Sequence, residues 1–145
     1  MRGTVIALDV GTKTVGIACC AEGLNTSVPL ETLYRSASLR RDLGQLAEVL
    51  KERAAAILVV GLPMMPDGTI GERARMVQAF VAKMRGFVRI PIVLQDERYT
   101  SFAASQIIGA ENRYPRADIH SMSAVLILDD YLLSIHESPS FNPGT

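Results

Sequence analysis

A five-stranded mixed α/β sheet with helices on its faces is the fold class the sequence predicts, on three observations. Two short apolar runs rich in β-branched residues are joined by a tight glycine turn. A longer apolar run is closed by Gly61 and Pro63, and between and beyond these runs the apolar period lengthens from strand to helix spacing.

Taken in order, Val5 to Leu8 and Thr14 to Cys19 have strand composition, and DVGTK between them is short enough for a hairpin turn. VPLETLYR, from Val28, predicts a third, weaker strand, so the chain opens as an antiparallel meander. From Ser38 the spacing changes. Leu39, Leu43, Leu46 and Leu50 share one helical stripe, Arg40, Arg41, Glu48, Lys51 and Glu52 lie off it, and Ser38 is a residue type that caps helix N-termini. AAILVVGLP has no polar position to turn outward, the pattern of a strand buried on both faces where a sheet is parallel. The stripe Met76, Val77, Phe80, Val81 and Met84 predicts a second helix, with Glu72, Arg73, Arg75, Gln78 and Lys83 facing water. IPIVLQ, from Ile90, predicts a strand that ends at Asp96 and Glu97. SFAASQIIGA predicts a short helix stopped at Gly109, ENRYPRADIH a polar loop, and SMSAVLILDDYLLSIH the last helix. Residues 1–137 then make one domain and 138–145, with their Pro, Ser, Asn and Gly, a flexible tail.

The 145 residues suffice to bury a core without disulfide or metal staples. No apolar run reaches the roughly 18 residues of a membrane span. The chain goes directly into a strand pattern with no secretory signal, so a soluble, cytoplasmic protein is expected. Cys19 and Cys20 are adjacent, close no loop between them, and are expected as reduced, half-buried thiols. Fifteen Lys and Arg against fifteen Asp and Glu give a formal net charge of +0, which argues against coating nucleic acid through a bulk positive field. It leaves room for a local basic face, if some of the acids gather around metal ions.

Asp9 ends the first strand, Glu97 follows the last, and Asp118 and His120 stand at the entrance of the final helix. If the first and fourth strands are neighbours, these points converge at one sheet edge. Oxygen ligands with one imidazole suit Mg²⁺ or Mn²⁺ better than zinc. Two such ions on shared carboxylates can cleave a phosphodiester without a Ser or Cys nucleophile. Gly11 lets a phosphate approach the backbone beside Asp9, and Lys13 offers it a cation. Arg98 and Thr100 are candidate phosphate contacts, Arg113 and Arg116 candidate backbone contacts to nucleic acid, and Tyr114 a base-stacking ring. Asp129 and Asp130 read as a solvated helix face, because eleven residues of helix put Asp129 about 16 Å from Asp118. Asp96, next to Glu97, points away from it if the strand continues.

ALDVGTKTVGIA, VVGLPMMPDGT, IPIVLQDERYTS and SAVLILDDYL resemble, in order and over nearly the whole chain, the signature blocks of the YqgF/RuvX family of the RNase H-like superfamily. The resemblance implies an RNase H fold and a metal-dependent nuclease with one or both of two roles, maturation of the 5′ end of pre-16S ribosomal RNA and resolution of Holliday junctions. It implies a nucleic-acid partner, ribosomal precursor particles among the candidates, and a monomer or homodimer. Asp9 matches the family's first acid and Glu97 its second. The third falls on His120, a departure, and Thr14 stands where the family often carries arginine. Either His120 as a neutral imidazole near the positive end of the helix dipole, or Asp118 two residues upstream, supplies the third ligand. The rival readings are a non-catalytic nucleic-acid-binding module that has lost a ligand at His120, and an actin-like or sugar-kinase ATPase. The second is disfavoured because the chain has room for one lobe only.

Overall fold

The structure, a computed structural model, describes residues 3–97 and 118–136. Its strands are β1 (Thr4–Val10), β2 (Thr14–Cys20), β3 (Val28–Pro29), β4 (Leu33–Tyr34), β5 (Ala55–Leu62) and β6 (Ile92–Asp96), and its helices α1 (Leu39–Glu52), α2 (Glu72–Met84) and α3 (Ile119–His136). The helix predicted over SFAASQIIGA and most of the polar loop lie outside the described residues, as do the tail and the proposed domain boundary at 137/138.

The sheet runs β3-β2-β1-β5-β6, with β4 also paired to β2. β1 is antiparallel to β2 and parallel to β5, and β5 is parallel to β6. The first strand and the long apolar strand are therefore neighbours, the condition on which convergence of the acids depended. Among the described residues the strands number six, against the five expected. VPLETLYR forms two short strands, because Pro29 pairs with Ala18 and Leu33 with Val15, four steps on one side against three on the other. The extra residue is a bulge. At the break Thr32 is buried, and its hydroxyl donates to Asp118 at the start of α3 (2.7 Å).

Alternation in β1 divides the core. Ile6, Leu8 and Val10 pack with Leu43, Leu46 and Leu50 of α1 and Val77, Phe80, Val81 and Met84 of α2 on one face. Val5 and Ala7 pack with Ala18, Cys20 and Val59 beneath Ala124, Val125 and Leu128 of α3 on the other. Ser38 caps α1, its Oγ accepting from the Arg41 amide at 3.2 Å. Cys19 and Cys20 are buried free thiols. No helix among the described residues is long and apolar enough to cross a membrane.

Candidate active site

Asp9 sits two residues beyond Ala7 and so faces α3. Gly61 falls on the same face of β5, two beyond Val59, and Ile92 of β6 packs on the opposite face, which brings Glu97 round to the α3 side. The Glu97 amide donates to the Leu62 carbonyl at 2.9 Å, keeping this residue on the sheet edge although β6 ends at Asp96. Asp96 is consequently directed to the other face, as expected from the sequence. Asp9 and Glu97 stand on strands separated only by β5, about 10 Å apart at the usual spacing.

Two glycines let α3 settle on these strand ends. Gly16, paired with Asp9 across the hairpin, lies under the His120 carbonyl, which a Cβ there would run into. A Cβ on Gly61 would come within 2.5 Å of Ile127 Cδ1 and 3.4 Å of Glu97 Cγ, so the bare Gly61 lets Ile127 settle on the sheet beside Glu97. His120, Ser123, Ile127 and Asp130 follow one another by three, four and three residues, a single helical stripe. Ser123 hydrogen-bonds Asp9, Ile127 covers Gly61, and Asp130 hydrogen-bonds Glu97. The rise from Ser123 to Asp130 is about 10 Å, which matches the two strand spacings it crosses.

The electrostatics follow from this packing. Burial pushes the Asp9 carboxyl above its ordinary value, against the opposing charges of Arg73 and His120 and the Ser123 hydrogen bond. Burial also raises Glu97, reinforced by the hydrogen bond and charge of Asp130 and by the charges of Asp96 and Asp9, to about 9. Asp130 is raised by burial and by Asp129, with the Glu97 hydrogen bond opposing. Burial and proximity thus disfavour both carboxyls of this pair being charged at once. One oxygen of Glu97, Oε1, is buried without a hydrogen-bond partner among the described residues.

Asp118 is held at the start of α3. Its Oδ1 caps α3, accepting from the Ser121 amide (2.9 Å) and the Thr32 hydroxyl (2.7 Å), while Ser121 Oγ donates to the Leu30 carbonyl (2.6 Å). What desolvation it suffers is overcome by these hydrogen bonds and by His120, and its carboxyl lies below its ordinary value. The β1–β2 turn is held by Arg35, whose Nη1 donates to the Gly11 carbonyl (2.7 Å) and whose amide donates to the Lys13 carbonyl (2.8 Å). Lys13 itself is exposed. Arg98, Thr100, Arg113, Tyr114 and Arg116 lie outside the described residues.

No three His, Cys, Asp or Glu among the described residues are grouped to hold one ion, and the candidate residues are spaced along α3. One expectation is corrected. Asp130 is not on a solvated face. The helical rise rightly separates it from Asp118, but two strands of sheet carry Glu97 the same distance, so Asp130 meets Glu97 instead. The signal was in the sequence, as the ten-residue step from His120 to Asp130 that keeps one helix face. Arg73 and Ser123 were likewise missed as site residues.

The donor set still fits a hard divalent cation. Mg²⁺ keeps several waters and takes one or two carboxylates with substrate phosphates, so a preformed cage of three side chains is not required. The orphaned Glu97 Oε1 and the neighbouring carboxyls that add to the raising of Glu97 are features a cation would relieve.

A mixed sheet of this order with α3 laid across its strand ends is the RNase H-like α/β fold. Thermus thermophilus RuvC, solved in complex with a Holliday junction substrate, superposes with a TM-score of 0.62 at 12% identity, covering 94% of this chain and 98% of that one. The sequence profile of the RuvX family, described as "Holliday junction resolvase", matches residues 3–134, and the chain belongs to this family. Among its relatives, "Putative pre-16S rRNA nuclease" of Trichormus variabilis is 38% identical over 132 residues, 89% of this chain and 87% of the relative. The protein of the same name from Lachnospira eligens is 36% identical over 135 residues, 90% of this chain and 96% of the relative.

Proposed function

We propose that the chain is a divalent-metal-dependent endonuclease that hydrolyses phosphodiester bonds in structured nucleic acid, acting in 5′-end maturation of pre-16S ribosomal RNA. The observation that carries the chemistry is the placement of Asp9 and Glu97 on one sheet face across the bare Gly61. The relatives' shared name, over nearly the full length of both chains, favours the ribosomal RNA substrate. The family description favours a second reading, cleavage of branched DNA.

Asp9, Glu97 and His120 would hold Mg²⁺ or Mn²⁺, two ions in the full site, with Asp118 fixing the helix that presents His120. Divalent ions there would favour attack of water on the phosphodiester and neutralise charge on the departing oxygen. The chain's own residues prepare the site. Ser123 orients Asp9, burial keeps bulk water from it, and Glu97 must release its proton before it can act as an anionic ligand. Arg73 in the first turn of α2 is exposed, makes no ion pair among the described residues, and its charge reaches Asp9. It is suited to meet a substrate phosphate at the rim, with Lys13 on the other side.

The test is cleavage of a pre-16S ribosomal RNA fragment, single-stranded RNA, a DNA flap and a four-way junction, with Mg²⁺ or Mn²⁺. The wild type is compared with Asp9→Asn, Glu97→Gln and His120→Ala. Cutting that needs metal and disappears in the first two variants is expected, with the precursor fragment preferred. Binding without cutting, unaffected by the substitutions, would leave the chain a nucleic-acid-binding relative of a nuclease.

A further inference from the structure

We propose that Arg35 is a positioning residue for the β1–β2 turn. Its guanidinium, braced by the buried Asp42, fixes the backbone at Gly11 so that the exposed Lys13 is held where a substrate phosphate meets the Asp9 end of the sheet. The inference rests on the reading of Lys13 as a phosphate contact and deepens it.

Arg35 follows β4 directly, and its amide donates to the Lys13 carbonyl at 2.8 Å, continuing the pairing of Tyr34 with Thr14. Its Nη1 donates to the Gly11 carbonyl at 2.7 Å, so one residue grips the turn on either side of Thr12. The Gly11 amide donates to the Thr14 carbonyl at 2.8 Å, and a Cβ at residue 11 would come within 3.1 Å of that oxygen, so the turn is closed tightly. Behind the turn the guanidinium is itself held. Its Nε lies 3.9 Å from Asp42 Oδ2, and its carbon sits 5.4 Å from the centre of the Phe80 ring of α2. Asp42, 1% exposed in the first turn of α1, also accepts from the Ser36 amide (3.0 Å) and the Ser36 hydroxyl (2.8 Å). A carboxylate buried this far needs such partners to stay where it is. Arg35 therefore ties α1 and α2, on one face of the sheet, to a turn that begins two residues beyond Asp9. The Lys13 side chain is long and flexible, so what the fold can fix is the backbone that carries it. A planar guanidinium can bridge a carboxylate and a carbonyl at once, whereas an ammonium on a flexible stem is a point charge without that fork.

The experiment is a double-mutant cycle on the full-length chain, read by fluorescence anisotropy of a labelled pre-16S fragment over a KCl series in Ca²⁺, with circular dichroism melts to confirm folding. Wild type is compared with Lys13→Gln, Arg35→Gln, Arg35→Lys and Lys13→Gln combined with each Arg35 variant. Lys13→Gln is expected to weaken binding at low salt and to make the slope of log affinity against log salt shallower by about 1. If Arg35 acts through Lys13, each double variant should bind within about twofold of its Arg35 single variant, whereas independent contacts would multiply their losses. Arg35→Lys keeps a cation beside Asp42 but gives up the bridge to Gly11, so its slope should fall although no charge is lost. It also carries the cycle alone if Arg35→Gln melts early. Losses that multiply in the double variants overturn the inference and make Arg35 a phosphate contact in its own right. Arg35 variants that melt lower yet bind with the wild-type affinity and slope also overturn it, leaving Arg35 a support of the fold. A Lys13→Gln variant with the wild-type slope, or a wild type that does not bind the fragment, removes the reading beneath it.

Discussion

The carbonyl of His120 rests against the Cα of Gly16, closer than any side chain at residue 16 allows, and Gly16 is the hairpin partner of Asp9. The first turn of α3 is thus seated on the strand pair that carries the acid. Gly16→Ala is expected to push backbone against backbone, destabilising the protein by about 1–3 kcal/mol and lifting His120 and Ser123 away from Asp9. Gly61→Ala meets first the flexible end of Ile127, so it should lower the melting temperature less. Thermal melts of both variants decide this. A Gly16→Ala protein as stable as wild type contradicts the close seating of α3.

Asp118 caps α3 and is tied to Thr32, and a cap and a ligand respond differently to an amide. Asparagine caps helices about as well as aspartate, whereas alanine loses about 1 kcal/mol. Asp118→Asn should therefore melt near wild type and keep its metal response, and Asp118→Ala should melt lower. Loss of Mn²⁺ binding in Asp118→Asn would return Asp118 to the ligand set.

The raised Glu97 carboxyl makes a pH prediction for the metal-free protein. Its folded value, about 9, lies above the ordinary 4.5. Native structure thus favours the protonated form, and this contribution to stability is fully present below pH 4.5 and lost as pH rises toward 9. Asp9, also raised, acts in the same direction. Glu97→Gln removes the larger of these dependences. In EDTA the variant should match wild type near pH 5 and melt several degrees higher near pH 8–9, a gap of order 1–2 kcal/mol once solvent access to Glu97 is allowed for. Saturating Mg²⁺ should narrow the gap by stabilising the wild type. Parallel melting curves at every pH would show that Glu97 is not held in its protonated form.

Much of this arrangement was legible in the sequence, for identifiable reasons. The period change at Ser38 and the unbroken AAILVVGLP run expose α1 and β5 because burial repeats at fixed spacing. Asp9 and Glu97 were visible as candidates because acids close two apolar strands together, although any one charge at a strand end is commonly only solvated. The split of VPLETLYR was not legible, since it depends on Thr32 turning toward Asp118, 86 residues away. Asp130 was hidden for a related reason. Its partner is set by how many strands lie between Asp9 and Glu97, which strand composition does not state. Gly16 and Gly61 look like ordinary strand glycines until a helix is laid across them.

Arg73 is the described cation, other than His120, whose charge bears on Asp9, and it stands exposed at the start of α2, beyond the end of β5. A phosphate contact and a merely solvated arginine make different demands on salt dependence. Each phosphate neutralised releases condensed counterions, so losing one contact lowers the slope of log affinity against log salt by about 1, more or less regardless of sequence. Arg73→Gln leaves the buried core untouched, because the residue is exposed. Fluorescence anisotropy with a labelled pre-16S fragment, from low to moderate KCl in the presence of Ca²⁺, should show weaker binding at low salt and a slope shallower by about 1. Lys51→Gln, exposed in the last turn of α1 before β5 begins, is the matched control and should leave the slope unchanged. An Arg73→Gln slope equal to wild type would place the substrate elsewhere and leave Arg73 as a charge that only tempers Asp9.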